Sequence, residues 1–281
     1  MGLLRIWLAF AALALPGSLA ASAQDRPYHI PGAVERSLPA ASGEVYRIFV
    51  HVPDSPPPPA GFPVLYVLDG EDNFPIAVAI ARRLARAAPR SSVEPGIVVG
   101  IDAGDLRRRA FDYTPDFGRP AIREGQPGYG LPTGGADAFL DFLSGRLQPA
   151  LARDFPIDTD RTTIAGHSFG GLLAIHALMA RRRQFCTHVA VSPSLWLADK
   201  AIFERAEKER HAYSGRLFIA VGESEDHETA TRFAERLRDK GAMASTRILA
   251  GETHGTTMPA ALSQAVTAAF GSHGCAPKTD D

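Results

Sequence analysis

Cysteine and tryptophan are scarce: the 281 residues hold two of each. Two isolated cysteines, Cys186 and Cys275, exclude a disulfide-dense scaffold and a thiolate zinc site, which need several thiols at short spacing. No His-x-x-x-His pair occurs, so no metal is expected. No Gly-x-Gly-x-x-Gly follows a strand-like run, so no nucleotide cofactor is expected. Neither sign of charge is in excess. With 30 Lys and Arg against 31 Asp and Glu, the formal net charge is −1, which argues for neither nucleic acid nor an anionic membrane as partner.

Long apolar runs are missing beyond the first residues. Residues 1–23 carry one charge, Arg5, then an apolar stretch over 6–15 and Ala21-Ser22-Ala23 as a small-x-small cleavage site. A membrane span needs about 20 apolar residues. The segment therefore reads as a secretory signal peptide that is removed, leaving no membrane anchor and a periplasmic or secreted protein. In that compartment Cys186 and Cys275 can pair, with a gain of roughly 4 to 5 kcal/mol in the chain-entropy view; two unpaired thiols are the alternative. Residues 24–281 suit one large domain with a substantial core.

What is present is an alternation of apolar runs. Residues 64–68 and 97–101 are apolar throughout, as in strands buried on both faces. Residues 46–52 alternate, and 162–165, 189–191, 216–221 and 246–249 complete the strand-like set. Between them, residues 74–88, 136–153, 201–211, 227–240 and 259–270 read as helices; in 136–153, Phe139, Leu140, Leu143, Leu147 and Leu151 share one face. The prolines of residues 53–63 mark a surface loop. Residues 116–135, rich in Gly and Pro, are expected as a mobile rim of a site. Strands alternating with helices predict an α/β fold whose mostly parallel central sheet is covered on both faces.

Gly166-His167-Ser168-Phe169-Gly170 lies between such a strand and a helix-like run carrying Leu172, Leu173, Ile175 and Met179. Strand, sharp glycine-flanked turn and helix are the setting of a nucleophile elbow. The turn exposes Ser168 at a strand end and aims the helix N-terminus at the reacting oxygen. A serine hydroxyl is a weak nucleophile and needs a base. Of nine histidines, His254 follows the last strand, where the chain order Ser, acid, His places the base. His227 sits in the preceding loop, His273 in the polar tail, and His167 inside the elbow, where packing is the simpler role. The acid is expected after the strand ending at Val221. Glu223, Glu225 and Asp226 are open there, with Glu225 the first choice and Asp226 the second. A carboxylate in that place holds the imidazole tautomer and stabilises the imidazolium. The oxyanion hole is expected from the amides of Phe169 and, after residues 64–68, of Glu71.

Leu68-Asp69-Gly70, Arg109 with Asp112-Tyr113-Thr114-Pro115, Gly134-Gly135-Ala136 before Phe139-Leu140, the elbow with Gly171, Ser192-Pro193-Ser194-Leu195-Trp196 and Gly251-Glu252-Thr253-His254 occur in that order. In this the chain resembles, over residues 26–270, the esterase family of α/β-hydrolases that includes the enterochelin, or siderophore, esterases. The resemblance implies the α/β-hydrolase fold and serine-esterase chemistry. It speaks less to substrate, because feruloyl esterases, S-formylglutathione hydrolases and mycolyltransferases are relatives. The Ser-Pro-Ser-Leu-Trp run and the Arg…Asp-Tyr-Thr-Pro run look most like the bacterial siderophore esterases, and the signal peptide suits their periplasmic branch. By that likeness the substrate is a catecholate trilactone such as enterobactin, ferric or apo. Some of those esterases resemble a Ser–His dyad with a poorly placed acid, which bears on Glu225.

A ferric tris-catecholate is anionic, so Arg109, among Arg107, Arg108 and Arg109, is a candidate substrate contact; a surface role or pairing with Asp105 or Asp112 is the alternative. Tyr113 and Trp196 are candidates to face catechol rings, or else fill core. The expected activity is ester hydrolysis of a siderophore for iron acquisition. The alternatives are an esterase on other small acyl or carbohydrate esters, and a hydrolase-fold binding protein, which has no need of the intact Ser, His and elbow glycines.

Overall fold

The computed structural model describes residues 27–271 apart from Arg182, Arg210, His211 and Ser214. The signal peptide expected over residues 1–23 and the cysteine at 275 lie outside the described residues; Cys186 is disulfide-bonded.

Eight strands form one sheet: β1 (Ala33–Pro39), β2 (Val45–His51), β3 (Phe62–Leu68), β4 (Ile97–Asp102), β5 (Ile157–His167), β6 (Thr187–Val191), β7 (Arg216–Gly222) and β8 (Met243–Leu249). Their order is β1-β2-β4-β3-β5-β6-β7-β8. The strands from β3 to β8 pair in parallel, and β1 and β2 extend the β4 edge antiparallel. This is the mostly parallel, doubly covered sheet expected from the alternating apolar runs, in the α/β-hydrolase arrangement that the resemblance implies.

Strand β3 and residues 97–101 of β4 are apolar and buried throughout because both their faces are covered. In β3, Val64, Tyr66 and Leu68 enter one core cluster, while Leu65 and Val67 enter the other. Helices α1 (Gly70–Ala85) and α9 (Thr257–Phe270) cover the second face, where Phe74, Val78, Leu262, Val266 and Phe270 close over the strands. Helices α3 (Leu106–Tyr113), α4 (Ala136–Phe142), α5 (Gln148–Asp154), α6 (Phe169–Ala180), α7 (Leu197–Lys208) and α8 (His227–Asp239) cover the first. A short helix, α2 (Ala88–Ser91), follows α1.

Several elements differ from the sequence expectation, each for a local reason. Pro63 lies inside β3 rather than in the loop, at a register shift between Phe62 and Val64 where a residue without an N–H is accommodated. Helix α1 starts at Gly70 rather than at residue 74, because Asp69 at φ 54° turns the chain straight into the helix. Helix α3 gives no apolar signal, since its first turn is arginine; the Asp105 side chain caps it by accepting from the Arg108 N–H at 2.8 Å. The helix expected over 136–153 contains a π turn, Leu143–Leu147, just before Pro149, which has no N–H to offer the preceding turn.

The stretch 116–135 is irregular, as expected, and its first third is anchored. Ala121 and Ile122 are buried. Arg119 donates to the Ala198 carbonyl at 2.7 Å, Ala198 donates back to the Ala121 carbonyl at 2.8 Å, and Arg205 holds the Asp116 carbonyl at 2.6 Å.

Candidate active site

The site lies where β3, β5, β6 and β7 end. The residues that turn the chain at three of these ends take positive φ without being glycine: Asp69 at 54°, Ser168 at 59° and Ser192 at 43°. Each such conformation costs about 1–3 kcal/mol and persists only where packing holds it. At the elbow that packing is close. A methyl group on Gly166 would stand 2.6 Å from the Gly170 carbonyl, and one on Gly171 would stand 2.8 Å from the Val191 carbonyl oxygen. Glycine at 166 and 171 lets α6 start directly over β5 and β6.

Ser168 Oγ stands 3.2 Å from His254 Nε2, and His254 Nδ1 stands 2.7 Å from Glu225 Oε1. The serine ends β5, the carboxylate follows β7 and the imidazole follows β8, in the chain order the sequence suggested. The other oxygen of Glu225, Oε2, accepts from the Ser192 hydroxyl at 2.6 Å and the Gly222 N–H at 2.7 Å. Burial acts to raise the Glu225 carboxyl, but these donors and the His254 ring outweigh it and hold the group below the usual glutamate value. The structure also sorts the competing acids. Asp226 caps α8 through the Thr229 N–H, and Glu223 accepts from the Gly251 N–H. His227 is the first residue of α8.

The amide of Phe169 is the first of α6 and that of Glu71 is in the first turn of α1. First-turn amides have no acceptor within their own helix, and the parallel pairing of β3 with β5 brings the two helix starts to neighbouring strand ends. The Glu71 side chain turns to Arg47.

Two of the three expected substrate contacts, Tyr113 and Arg109, are placed otherwise. Tyr113 is fully buried, packs on Phe139, and its hydroxyl accepts the Asp69 N–H at 3.4 Å; it supports the turn after β3 and does not face a ligand. Arg109 grips Asp69 with two hydrogen bonds, at 2.6 and 2.8 Å, and donates to the His167 carbonyl at 3.0 Å. Burial works against its charge and Asp69 restores it. Its partner is therefore Asp69, not Asp105 or Asp112, and its guanidinium is already engaged. Arg108 pairs with Asp112 and Glu44, so of the three arginines Arg107 is the exposed one. Trp196 is half-buried and packs against the main core.

Sequence reasoning missed the residues behind the triad. Ser192 and Ser194 belong to a motif whose order was visible but whose roles were not; Ser194 Oγ lies 3.2 Å from Ser168 Oγ. Thr257, whose hydroxyl is 2.7 Å from that of Ser192, gave no signal. Among the described residues no group of three or more His, Cys, Asp or Glu is placed to hold a metal ion, and no helix is long and apolar enough to cross a membrane.

A serine at a strand-to-helix elbow of a parallel sheet, with imidazole and carboxylate supplied from later strand ends, defines a carboxylic ester hydrolase of the α/β-hydrolase class. The family described as "Putative esterase" matches residues 40–258, and the chain belongs to it. It is 30% identical over 259 residues to the ferri-bacillibactin esterase BesA of Bacillus subtilis (strain 168), covering 85% of this chain and 90% of that protein. It is 34% identical over 230 residues to the siderophore triacetylfusarinine C esterase of Aspergillus fumigatus, covering 76% and 74%. The crystal structure of the BES protein from Bacillus cereus superposes with a TM-score of 0.75 at 26% identity, covering 87% of this chain and 97% of that one.

Proposed function

We propose that this protein is a serine esterase that hydrolyses the ester bonds of a siderophore, a catecholate trilactone of the enterobactin type, in the periplasm. The observation that carries the reading is the continuous line from Ser168 through His254 to Glu225. Relatives whose names specify siderophore esters supply the substrate class. The apolar stretch 6–15, the Ala21-Ser22-Ala23 site and the disulfide at Cys186 support an oxidising compartment.

Hydrogen positions follow from the acceptors. Glu225 is an acceptor only, so His254 carries its proton on Nδ1 and leaves Nε2 bare. The Ser168 hydroxyl donates to Nε2. As Ser168 Oγ attacks the ester carbonyl, its proton passes to Nε2, and Glu225 stabilises the resulting imidazolium. The carbonyl oxygen, now negative, takes up the amides of Phe169 and Glu71; each such donor is worth about 3 to 4 kcal/mol in the transition state. His254 returns the proton to the leaving alkoxide, giving an acyl-enzyme and a freed alcohol. Water then attacks with His254 again as base, and Ser168 leaves. Three rounds open a trilactone fully.

The test incubates the mature protein and its Ser168→Ala variant with apo and ferric enterobactin and with a p-nitrophenyl ester, following products by mass. Opening of the trilactone that drops on the order of 10⁶-fold in Ser168→Ala is expected. Cleavage of the p-nitrophenyl ester alone refutes the trilactone assignment, and activity that survives in Ser168→Ala refutes the serine mechanism.

A further inference from the structure

The second position of the Gly-x-Ser-x-Gly pattern is unconstrained by the turn, and here it is His167. Its ring lies 4.6 Å, centroid to centroid, from that of His254, and its Nε2 is 2.7 Å from the His254 carbonyl oxygen. A carbonyl only accepts, so Nε2 carries the hydrogen. One hydroxyl competes for that carbonyl, Thr257 Oγ1 at 3.2 Å. Thr257 has a single hydrogen, and Ser192 Oγ lies closer, at 2.7 Å. Ser192 directs its own hydrogen to Glu225 Oε2, so the contact between the two hydroxyls needs the Thr257 hydrogen. His167 is then the donor that holds the backbone of the base.

The segment around the base is tied to the neighbouring loop before His254, through Gly251 to Glu223 and Glu252 to Ser224, and its other bonds at 253–257 are largely internal to its own turn. Gly251, Thr253, His254, Gly255 and Thr256 are all exposed, and the His254 side chain is 53% exposed. Behind His167, by contrast, Arg109 holds the His167 carbonyl and is itself locked to Asp69. We infer that His167 is a positioning residue: its Nε2–H anchors the exposed His254 segment to the rigid elbow, so that the imidazole meets Ser168 and Glu225 together. The inference rests on the serine-esterase reading above. The donor state is robust, because burial first, then the neighbouring His254 and Arg109 charges, hold the His167 ring near a pKa of about 4 against the opposing effects of its hydrogen bond to the His254 carbonyl and of Asp69. The ring is therefore a neutral, single donor while His254 cycles.

The test uses two variants and a p-nitrophenyl ester. His167→Phe keeps a ring against His254 and removes the donor; His167→Gln keeps an N–H of similar reach. With the base misplaced but the acyl pocket intact, His167→Phe lowers kcat on the order of 10- to 100-fold with KM little changed. His167→Gln regains most of that loss. A wild-type kcat in His167→Phe, or a His167→Gln as slow as His167→Phe, overturns the inference. If His167→Phe does not fold, His167→Leu makes the same comparison. Fluorophosphonate labelling separates the two levels of failure. A wild-type protein that does not label at Ser168 removes the serine reading itself, whereas equal labelling rates in wild type and His167→Phe remove only the role of His167.

Discussion

Replacing Glu225 by glutamine changes one oxygen to an amide nitrogen, and its surroundings dictate which one. Oε2 accepts from the Gly222 N–H at 2.7 Å, and a backbone N–H can only donate. The amide oxygen must therefore occupy the Oε2 position, which keeps the Ser192 and Gly222 hydrogen bonds. The amide nitrogen is left facing His254 Nδ1 at the former 2.7 Å contact. It donates there, so Nδ1 becomes the acceptor and the imidazole proton moves to Nε2, pointing at Ser168 Oγ. A base in that tautomer cannot take the serine proton. The equivalent swap in a serine-protease triad lowers kcat about 10⁴-fold, or about 5.5 kcal/mol of transition-state stabilisation. Glu225→Ala removes the acceptor without imposing the wrong tautomer and is expected to be the milder change. The assay is p-nitrophenyl ester turnover for both variants beside thermal melts, with Tm for Glu225→Gln close to wild type. A Glu225→Gln enzyme that keeps more than about a tenth of wild-type kcat refutes the reasoning.

Buried histidines set the acid limit of stability. Burial lowers His188 and His51 from the ordinary 6.5 to about 4, with Arg82 adding to the effect on His51. The unfolded chain binds protons that the folded chain refuses, so their contribution is complete above pH 6.5. It falls as pH drops towards 4, by about 3 kcal/mol for each histidine; urea melts at pH 7.5 and 4.5 measure the loss, and equal midpoints contradict it. Arg109→Leu strands Asp69, whose side chain is only 18% exposed, and is expected to cost about 2–4 kcal/mol, or a Tm drop of roughly 5 to 15 °C. A raised KM for an anionic ester with no change in Tm would return Arg109 to the substrate. Gly166→Ala puts a methyl group against the Gly170 backbone and should destabilise by about 3 kcal/mol or more, while Gly145→Ala, inside the π turn with open space around its Cβ position, should raise the denaturation midpoint, by about 0.5–1 kcal/mol of stability.

The fold was legible because two of its strands are buried on both faces: 64–68 and 97–101 are short, β-branched-rich apolar runs with flanking Gly and Pro, the pattern of central strands. The nucleophile and base were legible from order along the chain. The acid was not, since Glu223, Glu225 and Asp226 are alike in sequence and differ only in what each accepts from: Gly251, His254 with Ser192 and Gly222, or Thr229. Arg109 and Tyr113 misled because motif order ties them to the site without saying on which side of the turn they stand. Both lie behind it, and only the packing of α3 under the elbow reveals that. The role of Ser192 depends on a contact with a residue 33 positions further along the chain, which no local pattern encodes.

Helix α9, the last element of the described chain, packs against α1, the first helix, and over β3, β5, β6 and β7. Its final residue, Phe270, lies against Gly96, where a single methyl group would collide with the ring at 2.4 Å. During vectorial synthesis, Leu65, Val67 and Val98 therefore wait, covered by α1 alone, until the polypeptide has emerged past residue 270. The core on that side cannot close stepwise behind the ribosome. That side of the core is complete only once residue 270 is in place, which suits a protein proposed to thread through a translocation channel before folding.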